Sequence, residues 1–142
     1  MSRLIDGKQI SAQVKEQVAR ETAALGEKGI TVGLAVVIVG DDPASRIYVN
    51  NKKKACEVCG IQSFEYALPG TASEAELLEL VEKLNRDPAV NGILVQLPLP
   101  KQISEQKVIA AISPDKDVDA FHAVNVGKIM IGDYDFLPCT PA

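Results

Sequence analysis

Residues 31–39, TVGLAVVIV, form an almost unbroken run of apolar and β-branched side chains. A strand with one wet face alternates polar with apolar residues. A continuous run suits a strand covered on both faces, the usual condition of a parallel sheet flanked by helices. Two further segments of strand character follow, IQSFEYAL at 61–68 and VNGILVQL at 90–97.

The intervening stretches carry helix signals. Asp6 is placed to cap a first helix, with Gln9 in a capping-box position and Ile10, Val14, Val18 and Leu25 at helical spacing. Gly26 to Gly29 ends that pattern. Asp42 and Pro43 open a second helix as N-cap and first helical residue, and Gly60 stops it after Cys59. Pro69-Gly70 turns the chain, and Ser73 with Glu76 forms a capping box ahead of Leu77, Leu78, Val81 and Leu84; Pro88 follows. Ser104 caps a short helix bearing Val108, Ile109 and Ile112, and residues 113–142 mix turn residues with short apolar pieces.

A helix followed by three strand–helix units predicts an α/β fold. Its mostly parallel sheet of three to four strands is flanked by helices and joined by right-handed crossovers. Such sheets bind ligands beyond the carboxyl ends of their strands. Those ends fall at 40–45, 69–71, 96–100 and, for a fourth strand, 117–121, and the unusual polar residues gather in three of these four places.

With 142 residues the chain has room for one domain with a proper core, burying roughly 70% of its unfolded surface. Its 15 basic and 19 acidic residues leave a net charge of -4, which argues against nucleic acid or an anionic membrane as partner. No run approaches the roughly 20 apolar residues of a membrane span, and the first ten residues do not read as a secretory signal. Three cysteines then fit a reducing, cytoplasmic setting. Thr140-Pro141 has the form of an N-cap and first helical proline, and there is no GxGxxG fingerprint. A second domain is therefore expected beyond the sequence.

Lys52, Lys53 and Lys54 form a basic run, ordinarily a solvated helix face. Helical geometry separates them. At roughly 100° per residue, Ile47, Asn51, Ala55 and Val58 share one face, Lys53 and Lys54 point away, and Lys52 falls at the buried edge in a stripe with Ser45, Tyr48 and Cys59. A partly apolar surround would lower the pKa of the Lys52 amine and let it exchange a proton near neutrality. Tyr48, one turn earlier, fits core filling as well as an aromatic platform. The CxxC at Cys56–Cys59 sits late in a helix, whereas redox pairs use a helix start, so two packed thiols are expected. A zinc site would need further ligands, with only His122 and Cys139 as soft candidates, and none is expected. His122 is expected on a loop surface.

The segments VGDDPASRIYVNNKKKACEVCGI, GILVQLPLP, PDKDVDAFH and PCTPA occur in this order. In combination they resemble the amino-terminal catalytic domain of the bifunctional methylenetetrahydrofolate dehydrogenase/methenyltetrahydrofolate cyclohydrolase family, across essentially the whole chain. The resemblance implies an enzyme that oxidises 5,10-methylenetetrahydrofolate to the methenyl compound with NADP and hydrolyses that to 10-formyltetrahydrofolate. It implies one-carbon metabolism feeding purine biosynthesis, a cytoplasmic homodimer, and a Rossmann-type NADP domain after PCTPA. By the same resemblance Lys52 is the catalytic lysine, Tyr48 stacks on the folate, Gln96 holds the lysine, Asp119 grips the pterin, and Ser45 lies at the pocket edge.

The implied domain organisation is a folate-binding catalytic domain over 1–121 and a connection with the start of an inter-domain helix over 122–142. The chain alone is then expected to lack dehydrogenase activity. A carboxylate at Asp119 can accept the paired N–H donors of a pterin edge; without the resemblance it reads as a turn acid, as do Asp115 and Asp117. An uncharged Gln96 can hold an amine without fixing it protonated, or serve as a strand-end amide. Pro98 and Pro100 lack N–H groups and stiffen the loop after it. The competing reading is a non-catalytic folate-binding or assembly module on the same scaffold.

Overall fold

The computed structural model describes residues 5–139. The elements are α1 (Gly7–Gly26), β1 (Gly33–Val39), α2 (Pro43–Cys59), β2 (Gln62–Leu68), α3 (Glu74–Arg86), β3 (Gly92–Val95), α4 (Glu105–Ala111), a single 3-10 turn at Pro114–Lys116, and α5 (Ala123–Ile131). The three strands make one parallel sheet in the order β2-β1-β3. A lone parallel bridge from Ile93 to Asp117 stands where the fourth strand was expected. The expected helix start at Thr140-Pro141 lies outside the described residues.

The apolar run at 31–39 becomes the central strand. β1 pairs with β2 along its full length and with β3 over Leu34–Val37, and it is buried on both faces. Its odd-numbered residues Ala35, Val37 and Val39 join Leu77, Val81 and Leu84 of α3, Val108 of α4, and Ile93 and Val95 of β3 in one core. Burying a side chain the size of Leu77 contributes roughly 1.5–3 kcal/mol. Its even-numbered residues Val36 and Ile38 meet Val49 of α2 and Leu94 in a smaller cluster on the opposite face.

The helix ends follow the residues expected to make them. Asp6 caps α1 by accepting the Lys8 and Gln9 N–H groups, and Asp42 caps α2 through the Ser45 N–H. Ser73 and Glu76 close a reciprocal capping box on α3, and Ser104 caps α4. Gly60 ends α2 at φ 71, a left-handed conformation that a Cβ disfavours.

One expectation is corrected. The buried stripe of α2 is Ser45, Val49, Cys56 and Cys59, not the face of Ile47, Asn51 and Val58, which are exposed. Val49, Cys56 and Cys59 supply the apolar part of that stripe, and Ser45 is buried with them. His122 lies in the loop just ahead of α5, partly exposed as expected, and serves as the N-cap of that helix, its Nδ1 accepting the Val124 N–H at 3.1 Å.

Candidate active site

The end of β3, helix α2 and the loop that carries Asp119 converge on one crevice. Asp42 fixes the start of α2, and the Ser45 N–H that it accepts holds its carboxyl below the usual carboxylate range. Seven residues on from the buried Ser45, Lys52 emerges half-buried in the inward stripe. Its Nζ donates to Gln96 Oε1 at 3.0 Å. Gln96 follows the last residue of β3; its backbone N–H bonds Val37 O, and its Nε2 donates to Leu97 O at 2.8 Å. That second bond orients the amide so that its oxygen faces the lysine. The Leu97–Pro98 peptide is cis.

Lys52 and Gln96 line a crevice of about 150 Å³ with Leu94, Val95, Leu97, Asp119 and Phe121. Asp119 is partly buried and burial pushes its carboxyl above the usual value of 3.8; the Lys52 ammonium pulls the other way, and the Asp117 carboxylate adds to the rise. Among the described residues no hydrogen-bond donor reaches the Asp119 carboxylate. The crevice thus holds a partly desolvated carboxylate beside an amine.

Tyr48 is 61% exposed, so core filling is ruled out. Its ring lies 5.9 Å from Lys52 Nζ, at the outer limit of a cation–π contact. The ring is an open apolar surface at the rim of the crevice. Ser45 is buried under the same helix and does not line the crevice. Lys53 and Lys54 are exposed, as the helical geometry predicts.

Phe121, 48% exposed, is a lining residue that sequence reasoning passed over. Its only signal is its place two residues after Asp119. The loop carrying both is pressed against β3: Val118 Cγ1 would lie 2.6 Å from a Cβ on Gly92, so only glycine admits this approach.

A larger groove of about 820 Å³ runs along α1 beside Val58, lined by Lys8, Ser11, Ala12, Lys15 and Ala19 among others. Its polar lining is Lys8, Ser11, Lys15 and Glu16, whereas the Lys52–Gln96 hydrogen bond and Asp119 lie at the smaller crevice. Cys56 and Cys59 are buried, Cys59 Sγ faces Lys15 O at 3.7 Å, and burial pushes the Cys56 thiol up, away from the reactive thiolate. The packed-thiol reading therefore stands.

The sequence matches the family described as tetrahydrofolate dehydrogenase/cyclohydrolase, catalytic domain, over residues 5–119. The chain belongs to that family. It is 62% identical over 141 residues to the bifunctional protein FolD of Ruminiclostridium cellulolyticum, covering 99% of this chain and 50% of the relative. The crystal structure of the bifunctional FolD methylenetetrahydrofolate dehydrogenase/cyclohydrolase from Campylobacter jejuni superposes with a TM-score of 0.93 at 49% identity, over 96% of this chain and 49% of that one. The Trypanosoma brucei enzyme, solved with NADP cofactor and inhibitor, gives 0.92 at 34% identity, over 98% of this chain and 48% of that one. The chain spans about half the length of the relatives it matches. Among the described residues, no helix is long and apolar enough to cross a membrane.

Proposed function

We propose that this chain is the folate-binding, catalytic half of a bifunctional enzyme. That enzyme oxidises 5,10-methylenetetrahydrofolate to 5,10-methenyltetrahydrofolate with NADP and hydrolyses the product to 10-formyltetrahydrofolate. The observation that carries the reading is the Lys52 amine held by Gln96 Oε1 in the crevice that Asp119 also lines.

The crevice suits one edge of a pterin. Asp119 accepts the ring N–H and the exocyclic amino group side by side. The Tyr48 ring, half in solvent before binding, offers a face for the flat part of the substrate lying beyond the crevice. Phe121 and Leu97 shield the reacting edge from bulk water.

In ring opening, water attacks the methenyl carbon. A neutral Lys52 amine takes the water's proton and returns it to the ring nitrogen whose bond to carbon breaks, and one proton is released in the balanced hydrolysis. The cationic substrate favours the neutral amine by like-charge repulsion. Gln96 fixes the amine through an uncharged acceptor, which orients it without the pull toward protonation that a carboxylate would exert.

NADP supplies a hydride acceptor, and the described residues do not fit it. The starts of α1 to α4 carry Asp6, Asp42, the pair Glu74 and Glu76, and Glu105, so negative charge already occupies the places where a diphosphate would dock. No step through NADP is assigned to these residues, and its site is assigned to the further length found in the relatives. Residues 1–121 are read as the catalytic domain and 122–142 as the connection to that part. A homodimer in the cytoplasm, feeding one-carbon units to purine synthesis, completes the proposal.

The test is Lys52→Met in the full-length protein. Ring opening of methenyltetrahydrofolate, followed by loss of its absorbance, should fall about 10²–10⁴-fold, with folate affinity by calorimetry nearly unchanged. Retained hydrolysis would return the chain to the binding-module reading.

A further inference from the structure

Among the described residues only three polar side chains are buried: Ser45, Asp117 and Asn125. Asp117 and Asn125 touch each other. Asn125 Nδ2 donates to Asp117 Oδ2 and to Pro114 O, each at 2.9 Å. Asp117 Oδ2 also accepts the His122 N–H at 2.8 Å, and Asp117 O accepts the Ala120 N–H at 3.2 Å. One carboxylate thus closes the loop 117–122 on itself, and one amide from α5 holds that carboxylate from behind.

The loop so closed carries Asp119 and Phe121, both on the wall of the Lys52 crevice. It needs holding. Ala120 sits at φ 56, the left-handed region that a residue with a Cβ occupies at a cost of about 1 kcal/mol or more. On its other side the loop rests on β3 through the Ile93–Asp117 bridge and the contact of Val118 with Gly92.

We propose that Asn125 is a positioning residue for substrate binding: through Asp117 it locks the strained 117–122 loop and so fixes where Asp119 meets the pterin. This rests on the reading of Asp119 as the pterin-binding carboxylate. A buried carboxylate that loses its donor re-forms its hydrogen bonds by moving or by admitting water. Either response displaces the loop, and Asp119 with it. The arrangement also gives α5 a reason to present its one buried side chain as an amide.

The experiment is a double-mutant cycle in the full-length protein, reading KM and kcat for ring opening of 5,10-methenyltetrahydrofolate. Asp119→Ala and Asn125→Leu are made singly and together. Val108→Ala, at the buried core side chain of α4, is the control for loss of stability alone. Asn125→Leu should raise KM about 10-fold, the scale of one lost hydrogen bond, with a smaller change in kcat. Val108→Ala should leave KM in place. In the Asp119→Ala background, Asn125→Leu should add little, because the two act through one contact. If Asn125→Leu does not fold, Asn125→Ser enters the same cycle. An unchanged KM for the Asn125 variant beside a raised KM for Asp119→Ala overturns the positioning role and leaves the functional reading intact. Full additivity does the same. An unchanged KM for Asp119→Ala overturns the functional reading, and this inference with it.

Discussion

The two faces of the sheet are built differently. On one, α3 and α4 seal thirteen buried residues into a continuous core, and α3 alone contributes Leu77, Val81 and Leu84. On the other, the buried cluster is four residues, and α1 lies outside it with no buried residue over its twenty positions. The catalytic candidates Lys52 and Tyr48 come from α2, on this thin side. A fully packed face has no room for a half-buried amine or an open aromatic ring. A thin face can keep Lys52 partly desolvated by its stem and the sheet while its nitrogen remains within reach of a ligand.

Removing a side chain from the thick face should have the largest effect on stability. Leu84→Ala is expected to cost about 2–5 kcal/mol, seen as a lower urea midpoint; a loss below 1 kcal/mol would mean that the two faces are not so unequal. Next comes the crevice. Asp119 titrates above its usual 3.8 when folded, so the native state binds more protons than the unfolded chain as pH rises through that window. Its ionisation therefore costs stability that is absent below the usual value and fully present above the raised one. Asp119→Asn should be more stable than the parent at a pH of about 7.5, with the advantage shrinking toward a pH of about 4, as measured by urea unfolding. A variant equally stable at both would show that the crevice is wetter than its geometry implies. The smallest effect is expected on α1. Val14 is 54% exposed, and Val14→Ala should change stability by less than about 0.5 kcal/mol in this chain. A larger loss would place α1 within the core.

Much of this architecture was legible as pattern. The run at 31–39, the capping residues Asp6, Asp42, Ser73 and Ser104, and the stop at Gly60 all act where local chemistry puts them, because caps and left-handed turns are satisfied within a few residues. The helix α5 was not legible. Its sequence AVNVGKIMI is apolar around most of its circumference, with a glycine inside, and the one residue that it buries is the polar Asn125. A rule that turns apolar faces inward has no purchase on such a segment. The α2 face was misread for a related reason: Ile47 and Val58 look like core by hydrophobicity, yet Ser45, Val49 and the two cysteines are the residues buried, with Cys59 against α1.

The site divides the same way. Spacing singled out Lys52 from its neighbours because one helix sets their directions, and the family resemblance named Gln96 and Asp119. No local pattern brings Gln96 to Lys52 across 44 positions of sequence or turns Asp117 from a loop acid into a buried anchor.

The amino-acid order by itself determined which segments become strand or helix over most of the chain, where most of them start and stop, and that the central strand is covered on both sides. These depend on interactions a few residues long and on average hydrophobicity. Only the tertiary structure decided which face of α2 meets the sheet, that the amine finds an amide oxygen, and that one buried asparagine holds the loop opposite. Those outcomes depend on steric fit and on donors meeting acceptors between distant segments, which have no partners until the chain has closed.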